Sequence, residues 1–235
     1  MSLMETTVRR AIGEDVDALS SVMAEALMTQ PVGVWLVPDV AKRAMVLRRW
    51  ARLVLLQGLE RGRVDTTDDR AAVAVWYSRL EPPPPAAAWV YDLHRLLGPH
   101  AARFALMHTC VDGLRPHRPH HQLAHVAVRP GHGDAVQALL VAHHQTLDLA
   151  GLPSCAEYSG DRPGEGLLSR VGYQPRSPIL LAPGGPALWR MWRSQPCDEQ
   201  PCRSAGGGLP RRVRLDRTAT PFLGRVIPAA PPRSP

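Results

Sequence analysis

A chain of 235 residues, 45% of them apolar, is long enough to bury a substantial core in one domain of ordinary size. No run of eighteen apolar residues occurs, so no membrane span is predicted. The net charge is +7, but seven Arg (203, 211, 212, 214, 217, 225 and 233) against Asp198, Glu199 and Asp216 place +4 of it in residues 196–235, so nucleic-acid binding by the body of the chain is not implied.

In chain order, Thr7 to Ala11 reads as a short strand. Asp15 to Met28 carries Val16, Leu19, Val22, Met23, Ala26 and Leu27 at helical spacing. Gln30 to Asp39, with Trp35 and Leu36 inside it, reads as a Pro-containing loop, and Ala41 to Arg61 as a long helix. Arg63 to Thr66 and Ala72 to Tyr77 predict a hairpin around Asp68-Asp69. Pro82 to Pro85 is a stiff break, followed by helices at Ala87 to Leu97 and His100 to Gly113. A basic loop, Arg115 to His120, leads to the strand Gln122 to Val128 and the helix Asp134 to Ala150, which Gly151-Leu152-Pro153 ends. Ser154 to Ser159 reads as a strand and Glu165 to Val171 as a short helix. Two strands, Ile179 to Ala182 and Ala187 to Trp192, flank Pro183-Gly184-Gly185. This order predicts a mixed α/β sheet with helices on both faces.

Residues 1–194 are expected to form the domain, and 195–235 a disordered tail rich in Pro, Gly and Arg. Cys110 and Cys155 fall in apolar elements and read as buried thiols, while Cys197 and Cys202 have no nearby His to complete a zinc site. Met1 to Thr7 lacks the basic-then-apolar pattern of a signal peptide, so a cytoplasmic protein is expected.

The stretch 123–151 is the most informative. An apolar strand runs through Pro130-Gly131-His132-Gly133 into an amphipathic helix, and the free N–H groups and dipole of a helix start favour a phosphate. The chain as a whole resembles the GNAT superfamily of acyl-CoA-dependent N-acetyltransferases, and within it the group that includes puromycin N-acetyltransferase. The resemblance runs in order over residues 7–193. Its pieces include Val8-Arg9-Arg10-Ala11, Trp35-Leu36-Val37-Pro38-Asp39, Val126-Ala127-Val128-Arg129-Pro130, Val171-Gly172-Tyr173 and Leu188-Trp189-Arg190-Met191-Trp192-Arg193. It implies the GNAT fold, a mixed central sheet flanked by helices, with acetyl-CoA as co-substrate and direct transfer to a small-molecule amine. The pantetheine arm would lie along Val126, Ala127 and Val128 like an added strand. The pyrophosphate would sit over Gly131, His132, Gly133, Asp134, Ala135 and Val136 at the helix start. A backbone N–H near Val126 or Ala127 would hold the thioester oxygen as it becomes negative.

The sequence departs from the family's pattern at three places: Pro130 opens the phosphate loop and Asp134 adds a negative charge there; Leu168 stands where the general-acid tyrosine usually does; and Gly164 replaces a cofactor-touching asparagine. Glu157 is the candidate general base, or a charge paired at a strand end. Tyr158 is the candidate substitute acid, or a packing residue on the opposite face. His120 or His121 is a further candidate base or pocket residue. His121 and His125 are expected to share a strand face, but no carboxylate or thiolate joins the histidines locally, and no metal is expected. Trp35, Trp76 and Trp89 are candidates for an acceptor pocket or for core packing. The expected function is therefore N-acetylation of a small, antibiotic-like amine by a monomer or homodimer with no nucleic-acid or membrane partner. The alternative is a catalytically impaired acyl-CoA-binding or regulatory protein on the same fold.

Overall fold

Seven strands form one sheet in the order β1-β2-β3-β4-β5-β7-β6. They are β1 (Val8–Arg10), β2 (Arg63–Thr67), β3 (Ala72–Arg79), β4 (His120–Val128), β5 (Ser154–Tyr158), β6 (Gln174–Leu180) and β7 (Ala187–Arg193). A computed structural model describes residues 6–81, 87–160, 162–181 and 185–194; the Pro82–Pro85 break, the start of the Pro183-Gly184-Gly185 turn and the tail 195–235 lie outside the described residues. All neighbouring strands pair antiparallel except β4 and β5, which run parallel, joined by α6 (Gly133–Leu149).

Two apolar layers cover the sheet. On one face lie α1 (Val16–Leu27), α2 (Pro31–Leu36), α3 (Val40–Arg61), α4 (Ala87–Leu97) and α5 (Ala101–Gly113), packed on Val73, Val75, Ala127 and Leu188. On the other, α6 and α7 (Leu167–Arg170) pack on Ala72, Ala74, Trp76, Leu123 and Met191. Segment 30–39, expected as a loop, contains α2: Pro31 stands in its first turn, where its fixed φ and missing N–H suit a helix start. Asp39 caps α3 through Oδ1, which accepts from Ala41 N at 3.0 Å. Gly151, at φ +64°, ends α6 in a Schellman arrangement, with Leu152 N donating to Leu147 O at 2.9 Å.

The register of β3 on β4 shifts between Val75, opposite His125, and Trp76, opposite Leu123, leaving Ala124 as a bulge. The extra residue reverses the alternation beyond it. His121 and His125 therefore do not share a face: His121 Nδ1 lies 3.4 Å from His143 Nε2 on the α6 side, while the His125 ring meets the Trp50 ring of α3 edge-on.

A buried polar network fills the α6 face. Trp76, 1% exposed, stacks on the His143 ring at 3.9 Å, as the sequence expectation of core packing has it. His143 Nδ1 lies 3.8 Å from Asp65, and His144 Nε2 is 3.1 Å from Tyr173 Oη, which accepts from Ser154 Oγ. Burial pushes His143 down to about 3 and His144 down to about 4, so both are neutral at pH 7. The unfolded chain takes up their protons as pH drops through about 6.5 and the native state does not, so stability falls with pH. Each imidazole is expected to cost about 2 kcal/mol between pH 6.5 and 5. Asp65, raised by burial, acts in the opposite sense nearer its own range. Urea midpoints at pH 7 and pH 5 check this, and His144→Gln is expected to flatten the difference.

Candidate functional site

The parallel pairing of β4 with β5 is short. His121, Gln122 and Leu123 pair with Ser154, Cys155 and Ala156, and there the register ends. From His125 to Val128, β4 keeps β3 on one side and, among the described residues, pairs with no strand on the other. A cavity of about 970 Å³ opens at this divergence. It is lined by Val126, Ala127 and Val128 on one side and by Glu157, Tyr158 and Ser159 on the other. Because it passes through the sheet, residues of both faces reach it: Glu157 from the helical face of α1 and α3, Tyr158 and Leu168 from the face of α6 and α7.

Glu157 is partly buried, and its carboxylate faces Gln122 Nε2, which donates to both oxygens at 3.4 Å. Gln122 Oε1 in turn accepts from Arg79 Nε at 3.0 Å. Burial pushes Glu157 up to about 7, and the Gln122 hydrogen bond with the Arg115 and Arg79 charges partly opposes this. A carboxylate poised there can exchange a proton near neutral pH. The Tyr158 ring packs over Gly160 and Gly166; a side chain at Gly160 would collide with the ring and its hydroxyl.

Turn 129–132 leads out of β4 into α6. Gly131 takes φ +84°, which favours glycine, and the helix start carries no side-chain cap. Gly131, His132, Gly133 and Asp134 are exposed, while the side chains of Ala135 and Val136 are buried beneath the helix. This turn can offer backbone N–H groups, with Asp134 an opposing charge in the first helical turn.

His120 is buried and does not line the cavity. Its Nδ1 lies 2.7 Å from Arg118 O and its ring leans on Trp192. Trp89 lines the cavity; Trp35 lies on α2 and Trp76 in the α6-side core. Sequence reasoning missed Trp50, His108 and Gln122. Gln122 had a legible signal, an amide at the head of the strand expected from Gln122 to Val128. At the helical end, the His125 ring meets Trp50 and His108 meets Trp89, both edge-on. Burial pushes His108 down to about 4 and His125 to about 3, so both imidazoles are neutral at pH 7. Cys155 is a buried thiol and Cys110 is partly exposed. Among the described residues, no group of three His, Cys, Asp or Glu is placed to hold a metal ion, and no helix is long and apolar enough to cross a membrane.

No family model matches the chain. Among solved structures, it is similar to one described as histone acetyltransferase HPA2 and related acetyltransferase from Corynebacterium glutamicum, with a TM-score of 0.60 and 24% identity over 82% of this chain and 97% of that one. It is similar to arylalkylamine N-acetyltransferase 2 from Aedes aegypti, with a TM-score of 0.54 and 10% identity over 81% and 99%. It is also similar to the apo form of an agmatine N-acetyltransferase mutant, with a TM-score of 0.51 and 13% identity over 79% and 97%. The fold is the GNAT acyltransferase fold, a mixed sheet flanked by helices.

Removing the Gln122 amide takes away a hydrogen bond to the charged carboxylate. Gln122→Leu is therefore expected to move the Glu157 titration midpoint above about 7, read by carboxyl-carbon NMR. An unchanged or lowered midpoint contradicts the assigned contact.

Proposed function

We propose that the chain is an acetyl-CoA-dependent N-acetyltransferase that transfers the acetyl group directly to a small-molecule amine. The observation that carries this reading is the divergence of β4 from β5 after Leu123 and Ala156, which leaves an open strand edge along the wall of a large cavity. An extended amide-bearing arm can hydrogen-bond such an edge as an added strand does. Bound acetyl-CoA supplies the electrophilic thioester carbonyl and the thiolate leaving group. The backbone of Val126, Ala127 and Val128 holds the arm; Arg129 N donates to Ala71 O, which by alternation turns the Ala127 N–H toward β3 and leaves the Val126 N–H to donate to the carbonyl oxygen as charge develops. Within Gly131 to Val136, His132 N and Ala135 N already donate to Arg129 O and His132 O, and the N–H groups of Gly131, Gly133, Asp134 and Val136 receive the pyrophosphate. Glu157 accepts the proton of the attacking amine, and Tyr158 returns a proton to the departing sulfur, replacing the acid that Leu168 cannot provide. The likeness to acetyltransferases of arylalkylamines and agmatine supports a small amine as acceptor. The resemblance to the puromycin N-acetyltransferase group supports an antibiotic-like one.

Leu168, buried at the cavity wall, and Asp134 at the helix start favour a second reading, a catalytically impaired acyl-CoA-binding or regulatory protein. Acetyl-CoA at a hundredfold excess over its Kd is expected to raise the melting temperature by about 5–10 °C. No rise contradicts both readings. Thiol release against a panel of amines separates them, since a flat response with a positive shift leaves the regulator.

For the enzyme, the base must be ionised. The rate is expected to climb with pH through about 7, and Glu157→Gln to abolish that limb and lower kcat/KM roughly 100- to 10,000-fold. Steady-state rates from pH 5.5 to 9 measure both effects.

A further inference from the structure

Arg79, Gln122 and Glu157 lie in one row across three neighbouring strands. Tyr77 of β3 stands opposite Gln122 of β4, which pairs with Cys155 of β5. Arg79 and Glu157 each lie two residues further along their own strands, so both share the face that carries the Gln122 side chain. Gln122 is buried, and its hydrogen bonds run in one direction. Arg79 Nε donates to Gln122 Oε1 at 3.0 Å, and Gln122 Nε2 donates to both Glu157 oxygens at 3.4 Å. Arg79 is itself steadied by the Tyr77 ring, whose centroid lies 4.9 Å from its guanidinium carbon.

An amide has an accepting end and a donating end of nearly the same shape, and the two have opposite effects on a neighbouring carboxyl group. The NH2 end stabilises the ionised carboxylate, whereas the carbonyl end needs a protonated acid to donate to it. A guanidinium only donates, so a Gln122 held by Arg79 must present its NH2 to Glu157. We propose that Arg79 is a positioning residue for the base, holding the Gln122 carbonyl so that the donating end stays on Glu157 and the carboxylate remains free to take the proton of the amine. The kinetic consequence rests on the transferase reading above; the hydrogen-bonded latch does not. Other groups also face Glu157: Arg115 and Asp112 from the end of α5 and the segment after it, Arg190 from β7, Arg118 and Arg176 across a smaller cavity, Cys155 along its own strand and Tyr173 before β6. They are present in every variant of Arg79 and Gln122, so comparing Arg79 variants with and without Gln122 separates the latch from the general field. The direct charge of Arg79 is a lesser influence on Glu157 than the bond from Gln122.

Carboxyl-carbon NMR of Glu157 in the full chain reads the latch without any activity. Arg79→Met, which keeps the stem but loses donor and charge, is expected to raise the Glu157 midpoint by about one pH unit or more. In the Gln122→Leu background the same substitution is expected to move it far less, because no amide is left to turn. Equal movements in the two backgrounds overturn the proposal, since Arg79 then acts by its charge alone, and no movement in either overturns it too. The unaltered chain gives a second readout that needs no variant to fold. Its Gln122 side-chain NH2 resonances are expected to follow the Glu157 midpoint, and resonances that ignore it contradict the donating orientation. In thiol release with the best amine of the panel, Arg79→Met is expected to carry the rising limb of kcat/KM to higher pH by the amount the NMR midpoint moves. A slower rate with an unmoved limb overturns the positioning role. Absence of thiol release with every amine, alongside the expected NMR movements, removes the transferase reading and leaves the latch standing.

Discussion

The shortness of the parallel pairing between β4 and β5 governs the rest of the molecule. Three residues of each strand are held together at His121–Leu123 and Ser154–Ala156, and then the strands part. Unpaired backbone groups inside a protein are costly, so an open central strand edge persists only where something else can satisfy it. From His125 onward β4 presents such an edge to a cavity rather than to β5. The bulge at Ala124 falls at the same point and turns His125 and Ala127 toward α3 while Val126 and Val128 face α6. One irregularity thus opens the gap, and the other decides which side chains line it.

The electrostatics follow from this opening. Glu157 sits two residues beyond Cys155, the partner of Gln122, so its carboxylate hangs at the mouth of the gap with Gln122 as its neighbour. Burial raises its proton affinity, while Gln122 and the arginines keep ionisation within reach of neutral pH. The imidazoles on both faces respond to burial the other way and stay neutral, while Glu157 in the cavity lining can exchange a proton near neutral pH. The same carboxylate also borders a second, smaller cavity over the β5-β7-β6 end of the sheet.

Much of this was legible in the sequence, for physical reasons. The helices α1, α3 and α6 show through their apolar spacing, and Gly151-Leu152-Pro153 marks the end of α6 because a left-handed residue is required there. Glu157 stands out as a charge inside an apolar strand. Helix α2 was hidden because six residues are too few to establish a period. The first half of β6 was hidden by Pro175 and Pro178, tolerated because β6 is an edge strand with an outer side that needs no donors. The Ala124 bulge carries no glycine and no break in apolar character, so strict alternation assigned His125 to the wrong face. The placement of His120 away from the cavity and the contacts of Gln122 depend on strands brought together from distant parts of the chain, which spacing along one strand does not encode.

The central claim is that the free edge of β4 receives an extended guest. Hydrogen exchange of the backbone amides from Ala124 to Val128, followed with and without saturating coenzyme A, tests it most directly. Amides facing away from β3 are predicted to exchange quickly in the free protein and to become strongly protected when the ligand is present. Exchange that is already slow in the free protein, or that the ligand leaves unchanged, would contradict the account.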